Sequence, residues 1–126
     1  ARWGGGGAGG RRRTGAVLVI LFRADSAQAG GLGGVELQVD NAPAASHSYT
    51  PTAAQALDQG AVDQLYRSEV LPTTHTVSVR VTLGGTSVVQ GVNVNAQRET
   101  VTYVQFTIRN GQVIASTWTS QGTTPF

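Results

Sequence analysis

The two histidines are the first residues to consider for chemistry, because the sequence contains no cysteine. Imidazole nitrogens bind zinc, and a site built on His47 and His75 would need a carboxylate such as Asp40 or Glu69 as a third ligand. The spacing of these residues matches no zinc-binding motif. We therefore expect each histidine to be a hydrogen-bonded surface residue, and we predict neither a metal site nor a cofactor.

A nucleophilic serine is the second possibility for chemistry. Ser-His-Asp triads are defined by geometry, so the sequence alone leaves a triad open. No serine lies in the Gly-x-Ser-x-Gly pattern of a nucleophile elbow. Asp58 and Asp63 are five positions apart on a candidate helix, too far around it to form an acid/base pair. The sequence therefore favours a protein that is not an enzyme.

Two aromatic residues offer a binding function instead. Tyr103 is predicted to lie on the face of its strand opposite Val104 and Phe106, and Trp118 lies near the end of the last predicted strand. Exposed rings could stack on a sugar or a peptide, which makes Tyr103 and Trp118 a candidate ligand platform. Alternatively, one or both rings complete the core, because aromatic side chains dominate core burial. Both interpretations remain open.

The strands that would position these rings lie between residues 75 and 118. Residues 76–83 alternate between apolar and polar side chains, which is typical of a half-buried strand. Gly84-Gly85 and Asn110-Gly111 are two-residue hairpin signals, because primed turns need positive φ. We predict four strands joined as an antiparallel meander, with one face in the core and the other in water. These strands are residues 76–83, 86–94, 99–109 and 112–118.

The region before the meander predicts further strands and one helix. Residues 35–40 alternate as a strand after the glycine-rich turn 30–34, and residues 46–49 form a second, short strand. A short helix capped by Thr52 follows, with an apolar stripe at Leu57, Ala61 and Leu65 that Gly60 weakens. The fold class is therefore an all-β, antiparallel β-sandwich of about seven strands, immunoglobulin-like or transthyretin-like, with one short helix.

Residues 1–15 form a separate, basic segment, which precedes a single predicted β-sandwich domain at residues 16–126. Seven of the fifteen residues are glycine, so the segment cannot bury enough apolar surface to fold alone. Three functions remain open for this arm: a solvated tail, a contact with another subunit, or a contact with an anionic partner such as nucleic acid. The candidate contact residues are Trp3, Arg11, Arg12 and Arg13.

Residues 16–22 are continuously apolar, but a membrane-spanning helix needs about 20 such residues, so we predict no transmembrane helix. Two interpretations remain. The stretch is either a buried strand, or the apolar part of a secretory signal peptide within residues 1–29. In the second case Arg11–Arg13 would be its positive region and Ala27-Gln28-Ala29 would precede the cleavage site.

Residues 71–79, Leu-Pro-Thr-Thr-His-Thr-Val-Ser-Val, resemble the entry into a strand in small immunoglobulin-like modules of bacterial envelope proteins, including PEGA-type modules. In that pattern Thr73 replaces the usual glycine. The resemblance implies a non-catalytic module at a cell surface or in a cell envelope.

The function predicted from these features is a non-enzymatic structural or assembly module. We expect it to be extracellular, in the cell envelope or on the surface of a virion or other particle, and to form a homo-oligomer or larger assembly. Sheet edges and the basic arm would make the subunit contacts, in part by strand addition. The alternative is a module that binds carbohydrate or peptide, and a less favoured one is nucleic-acid contact through the arm.

Overall fold

The computed structural model describes residues 15–25, 31–58 and 60–121 of the 126-residue chain. Within these ranges the chain forms eight strands and one short helix. Helix α1 (Pro51–Asp58) lies between the third and fourth strands. The strands are β1 (Ala16–Ala24), β2 (Leu32–Val39), β3 (Ala42–Ser48), β4 (Asp63–Glu69), β5 (Thr74–Leu83), β6 (Thr86–Asn95), β7 (Thr100–Arg109) and β8 (Gln112–Gln121).

The strands form two four-stranded sheets that pack face to face. The first sheet has the order β4-β1-β7-β8, and the second has the order β3-β2-β5-β6. Strand β1 runs parallel to β7, and the other described pairings are antiparallel. The predicted all-β sandwich with one short helix is confirmed. It has eight strands in place of about seven, and one parallel pair that the sequence did not predict.

The predicted four-stranded meander is wrong, because its two hairpins belong to different sheets. Strands β5 and β6 pair in the second sheet, whereas β7 and β8 pair in the first. The connection between β6 and β7 turns inward: Ala96 is buried, and its N–H donates to the carbonyl oxygen of Thr73 at 3.0 Å. The chain therefore crosses from the second sheet to the first, and the apolar faces of the β5–β6 and β7–β8 hairpins pack against each other.

Alternating residues of the central strands fill the space between the sheets. Because side chains of a strand point alternately to its two faces, every second residue of β1, β7, β5 and β2 reaches the core. The first sheet contributes Leu18, Ile20, Phe22, Val104, Phe106 and Ile108, and the second contributes Val35, Leu37, Val77, Val79 and Val81.

Strand β1 is buried on both faces, which explains its unbroken apolar sequence. Val17, Val19 and Val101 form a second buried cluster on the outer face of the first sheet, and Leu21 and Tyr103 pack against it. Residues 16–22 thus form a strand in the structure, as one of the two interpretations predicted.

Three two-residue turns set the register of the hairpins. The predicted turns at Gly84-Gly85 and Asn110-Gly111 have positive φ at both positions, as primed turns require. A third turn, at Asp40-Asn41, has φ values of 55° and 67° and was not predicted. Asp and Asn tolerate this left-handed conformation better than most residues, which allows a tight turn without glycine.

Helix α1 is eight residues long and ends before Gly60, which confirms the short helix predicted here. Its first turn is capped by Thr50, whose Oγ1 accepts the N–H of Ala53 at 3.2 Å, so the predicted cap at Thr52 is wrong. The helix ends at Asp58, and Leu65 lies on β4, where it enters the same core as Leu57. Among the described residues, no helix is long and apolar enough to cross a membrane.

The elements on either side of the helix also differ from the prediction. Asp63 begins β4, so Asp58 and Asp63 do not share a helix. Strand β2 begins at Leu32, inside the predicted glycine turn, and β3 includes Pro43. Proline is tolerated there because β3 is the edge strand of its sheet.

Candidate functional site

The structure brings the two residues of the predicted ligand platform together. Tyr103 on β7 and Trp118 on β8 are directly opposite each other in the antiparallel ladder. Their ring centroids are 5.2 Å apart and their planes are 11° from parallel, so the rings stack. The predicted contact residues of the basic arm lie outside the described residues; they are Trp3, Arg11, Arg12 and Arg13.

The two rings differ in their surroundings. Tyr103 is half-buried and packs against the outer-face cluster around Val19, whereas Trp118 is 42% exposed. Tyr103 covers one face of the indole. Because β8 is the last strand of the first sheet, no described strand of that sheet lies beside the other face. Neither ring lies between the sheets, so the platform belongs to the outer surface.

The β7 and β8 residues on either side of the platform carry no charge. The neighbouring row of the outer face contains Gln105 opposite Ser116, and the row on the other side contains Val101 opposite Ser120. The amide nitrogen of Gln105 donates to the hydroxyl of Thr107 at 3.4 Å. On β7 and β8 the platform is thus flanked by uncharged residues, whereas Arg67 and Glu69 of β4 lie in the same rows of the outer face, two strands from β7.

The backbone of β8 presents a free edge beside the platform. In the hairpin closed by Asn110-Gly111, Arg109 and Gln112 form the first hydrogen-bonded pair, and bonded and non-bonded pairs alternate from there. The N–H and C=O groups of every second residue therefore point away from β7. The residues with edge-facing backbone groups are Val113, Ala115, Thr117 and Thr119.

Strand β8 itself, as far as the structure describes it, lacks the features of length and sequence that usually prevent strand pairing. Natural edge strands are short or carry charges, proline or bulges, because their unpaired backbone groups otherwise attract another strand. Strand β8 is ten residues long and contains neither a charged residue nor proline. Strand β6, the edge of the second sheet on the same side, is also ten residues long and uncharged.

One side chain joins these two edges. The Nε2 of Gln90 on β6 donates to the carbonyl oxygen of Val113 on β8 at 3.0 Å. Its Oε1 accepts the N–H of Gly91, also at 3.0 Å. The amide of Gln90 thus occupies one backbone group on each edge. Within the described ranges, no side chain bonds the edge-facing groups of Ala115, Thr117 or Thr119.

The opposite side of the sandwich, between the edge strands β3 and β4, is joined by ionisable groups. The hydroxyl of Tyr49, just after β3, donates to the carboxylate of Asp63 on β4 at 2.7 Å. Burial raises the pKa of Tyr49, and the negative charge of Asp63 raises that pKa further. The ring of Tyr49 also packs 6.0 Å from that of Phe22, which ties this contact to the core.

His75 joins the other end of the same side. Its Nδ1 lies 2.6 Å from Oδ2 of Asp40, in the β2–β3 turn, and its Nε2 lies 2.7 Å from the carbonyl oxygen of Leu71, after β4. A carboxylate and a carbonyl can only accept, so both ring nitrogens must donate and the ring is an imidazolium. The other oxygen of Asp40 accepts the N–H of Thr76 at 3.0 Å.

The pKa values of this pair shift in opposite directions. Burial alone would lower the pKa of His75, but its bonds to Leu71 and Asp40 outweigh that effect and raise the pKa above the usual 6.5. The bonds from His75 and from the N–H of Thr76 lower the pKa of Asp40 below its usual 3.8. Each shift favours the charged form of its group, which is what an ion pair between His75 and Asp40 requires.

The prediction that both histidines lie at the surface is right for one of them and wrong for the other. His47 is exposed on β3, as expected, whereas His75 is only 5% exposed, so its prediction as a surface residue is wrong. The hydrogen bonds to Asp40 and Leu71 make the burial of His75 possible. In the part of the chain that the structure describes, no three His, Cys, Asp or Glu residues are grouped so that they could hold a metal ion.

Comparisons with known proteins give a likeness of fold. No protein-family model and no curated protein matches the chain. The chain is similar to a crystal structure described as that of "a putative cell adhesion protein from Bacteroides ovatus", with 11% sequence identity and a TM-score of 0.53. The match covers 88% of this chain and 46% of the other, so this chain spans less than half the length of that protein. At this identity the likeness shows the fold alone.

Proposed function

We propose that this chain is a non-enzymatic structural module that is exported to a cell or particle surface and assembles through the free edge of β8. One observation carries the proposal: the edge-facing backbone groups of Ala115, Thr117 and Thr119 have no bond within the described residues. Each residue that a new strand pairs with β8 adds backbone hydrogen bonds without any rearrangement of the sandwich. A second copy of the chain is the partner that we propose for this edge.

Two similarities support an extracellular location. The structural neighbour is described as a putative cell adhesion protein, and such proteins act outside the cell. Residues 71–79, which lead into β5, resemble an envelope module of bacteria. Both fit a surface module whose function is contact with other proteins.

The basic arm supplies a second, electrostatic contribution to assembly. Residues 1–15 contain four arginines and no acid, whereas residues 16–126 contain five arginines and seven acidic residues. Opposite charges on the two parts of the chain favour contact between the arm of one copy and the sandwich of another. The arm residues proposed to make this contact are Trp3, Arg11, Arg12 and Arg13.

Replacing Thr117 by proline tests the edge. The N–H of Thr117 faces away from β7, so Thr117→Pro leaves the β7–β8 ladder intact while removing a donor from the edge. Light scattering on the full chain over a range of concentrations should show self-association. Thr117→Pro should weaken it about tenfold or more, because one lost hydrogen bond and the proline ring both oppose pairing.

Thr117→Val is the matched control, since it keeps the N–H and the β-branched shape of threonine. It should associate like the unmodified chain, and circular dichroism should show the same fold for both variants. A chain that stays monomeric at about millimolar concentration overturns the proposal. So does equal association of the proline and valine variants.

Changing Arg11, Arg12 and Arg13 together to glutamine tests the arm. This variant should associate more weakly at low salt and like the unmodified chain at high salt, because salt screens contacts between exposed charges. A loss of association that is independent of salt would contradict an electrostatic contribution.

A further inference from the structure

The exposed indole of Trp118 has no function in the core or in the edge contact proposed above. Its side chain lies on the outer face of the first sheet, whereas strand addition uses the backbone of β8. Trp118 is the largest apolar side chain on a strand otherwise rich in serine and threonine. Leaving 42% of a tryptophan in water forgoes stabilisation that its burial would give.

Stacking on Tyr103 holds the indole in a fixed orientation. The 5.2 Å separation and 11° angle between the ring planes restrict the rotation of Trp118, and Tyr103 is itself packed against the outer-face cluster. A ligand that binds to the open face of the indole therefore loses little side-chain entropy of the protein. The pair is preorganised as a flat apolar surface with one face accessible.

The groups around this surface select the class of ligand. The face of an aromatic ring is electron-rich and attracts the weakly positive C–H groups of a sugar ring. The hydroxyls of Ser116 and Ser120 can each donate and accept, and the carbonyl oxygen of Gln105 can accept. The β7 and β8 residues beside the rings carry no charge, and the nearest charged residue of the same row, Arg67 on β4, is two strands from Tyr103. The hydroxyls of a sugar ring stacked on Trp118 would therefore meet matching neutral partners.

We propose that Tyr103 and Trp118 form a binding site for a neutral saccharide, with Gln105, Ser116 and Ser120 as its polar contacts. The site belongs to the unassembled chain, because a strand added to the β8 edge would lie beside the open face of the indole. A single open stacking surface predicts weak binding of one sugar ring, with Kd of about 1 mM. Higher affinity for a surface glycan would come from several copies of the module binding at once.

Nuclear magnetic resonance on the ¹⁵N-labelled full chain tests the site. The indole N–H signal of Trp118 should shift on titration with methyl pyranosides of glucose, galactose, mannose or N-acetylglucosamine. Trp118→Ala should weaken binding at least about tenfold, which corresponds to about 1.4 kcal/mol, because the stacking surface is lost. Trp3→Phe removes the other tryptophan and so identifies the remaining indole signal as that of Trp118.

Further ligands and variants separate this proposal from its alternatives. Glucuronic acid should bind no better than glucose; clearly tighter binding would overturn the neutral class. A shift of Trp118 caused by an uncharged peptide but by no pyranoside would assign the surface to peptides, against the proposal. The absence of any shift up to about 50 mM pyranoside, well above the expected Kd, would also overturn it.

The two proposals fail independently. Thr117→Pro should weaken association at the β8 edge and keep saccharide binding, because Thr117 points its side chain to the opposite face. Trp118→Ala should weaken saccharide binding and keep association. If Thr117→Pro, while still folded, loses both, the edge and the platform are one site and the independent saccharide function is wrong.

Discussion

The two sides of the sandwich, where the edge strands of the two sheets meet, are linked by different kinds of hydrogen bond. Between β3 and β4, the bond from Tyr49 to Asp63 closes one end, and His75 closes the other by bonding Asp40 and the carbonyl of Leu71. Between β6 and β8, the described link is the neutral amide of Gln90. Hydrogen bonds to charged groups are roughly twice as strong as neutral ones. The links across the β3–β4 side therefore involve charged groups, whereas the described link across the β6–β8 side is neutral.

The edge strands on the two sides also differ in length, charge and proline content. Strand β3 is seven residues long and contains Pro43, and β4 carries Arg67 and Glu69, all features that oppose pairing with another chain. Strands β6 and β8 are longer and contain neither proline nor charged residues. The association that we propose would therefore use the β6–β8 side rather than the β3–β4 side.

The largest effect is expected for His75→Ala. Removing the imidazolium breaks two charge-assisted hydrogen bonds and leaves the carbonyl of Leu71 without its partner, so the free energy of unfolding should fall by about 2–4 kcal/mol. Urea denaturation at pH 6 measures this change. His47→Ala, at an exposed histidine, is the control and should change stability by less than about 0.5 kcal/mol. Equal effects of the two variants would show that the His75 bonds do not hold this side.

Tyr49→Phe should have the next largest effect. It removes the hydrogen bond to Asp63 and keeps the ring contact with Phe22, so we expect a loss of about 1–2 kcal/mol in the same denaturation assay. Tyr66→Phe is the matched control, because the hydroxyl of Tyr66 has no hydrogen bond among the described residues. A Tyr49 variant as stable as the Tyr66 variant would contradict the importance of this contact.

The stability of the β3–β4 side should also depend on pH. The pKa of His75 is raised on folding, so its contribution is fully present below pH 6.5 and is lost as pH rises through the folded-state pKa. The pKa of Asp40 is lowered on folding, so its contribution is present above pH 3.8 and is lost as pH falls through its folded-state pKa.

Thermal melts of the unmodified chain and of His75→Gln between pH 5 and 9 measure the first effect. The difference in Tm between the two should shrink as the pH rises, because glutamine does not titrate. A constant difference over this range would mean that the imidazole keeps the same charge throughout, or that its charge does not contribute.

Much of the fold, and the position of the platform, follow from local signals in the sequence. A two-residue loop at Asn110-Gly111 places Arg109 opposite Gln112, and counting outward from this pair places Tyr103 opposite Trp118. The alternation in residues 76–83 likewise predicts which side chains of β5 reach the core. Both inferences need only the period of a strand and the geometry of its turn.

Features that depend on contacts between residues far apart in the sequence could not be predicted in this way. The spacing of Leu57, Ala61 and Leu65 fits a helix, but packing against β1 makes residues 63–69 a strand, since tertiary contacts override weak local preference. Gln90 and Val113 belong to different sheets, and no sequence pattern predicts their contact. His75 and Asp40 meet only because β2 pairs with β5.

The smallest effect on stability is expected for Gln90→Ala. This variant tests most directly how the β6–β8 side is linked. The loss of a neutral, half-buried amide should lower the free energy of unfolding by about 1 kcal/mol or less. The N–H of Gly91 loses its acceptor, so its hydrogen exchange should become faster while the other amides of β6 keep their rates. Gln97→Ala, at an exposed position in the β6–β7 connection, should change neither the free energy of unfolding nor the exchange rate of the Gly91 amide.

The same variant should strengthen self-association, because removing Gln90 frees the carbonyl of Val113 and extends the open edge of β8 by one position. Light scattering of Gln90→Ala against Gln97→Ala measures this change. If association weakens instead, the two edges must be held together by Gln90 for a partner to bind. Gln90 would then support the contact surface of the β6–β8 side, and its amide would not limit where a new strand can pair.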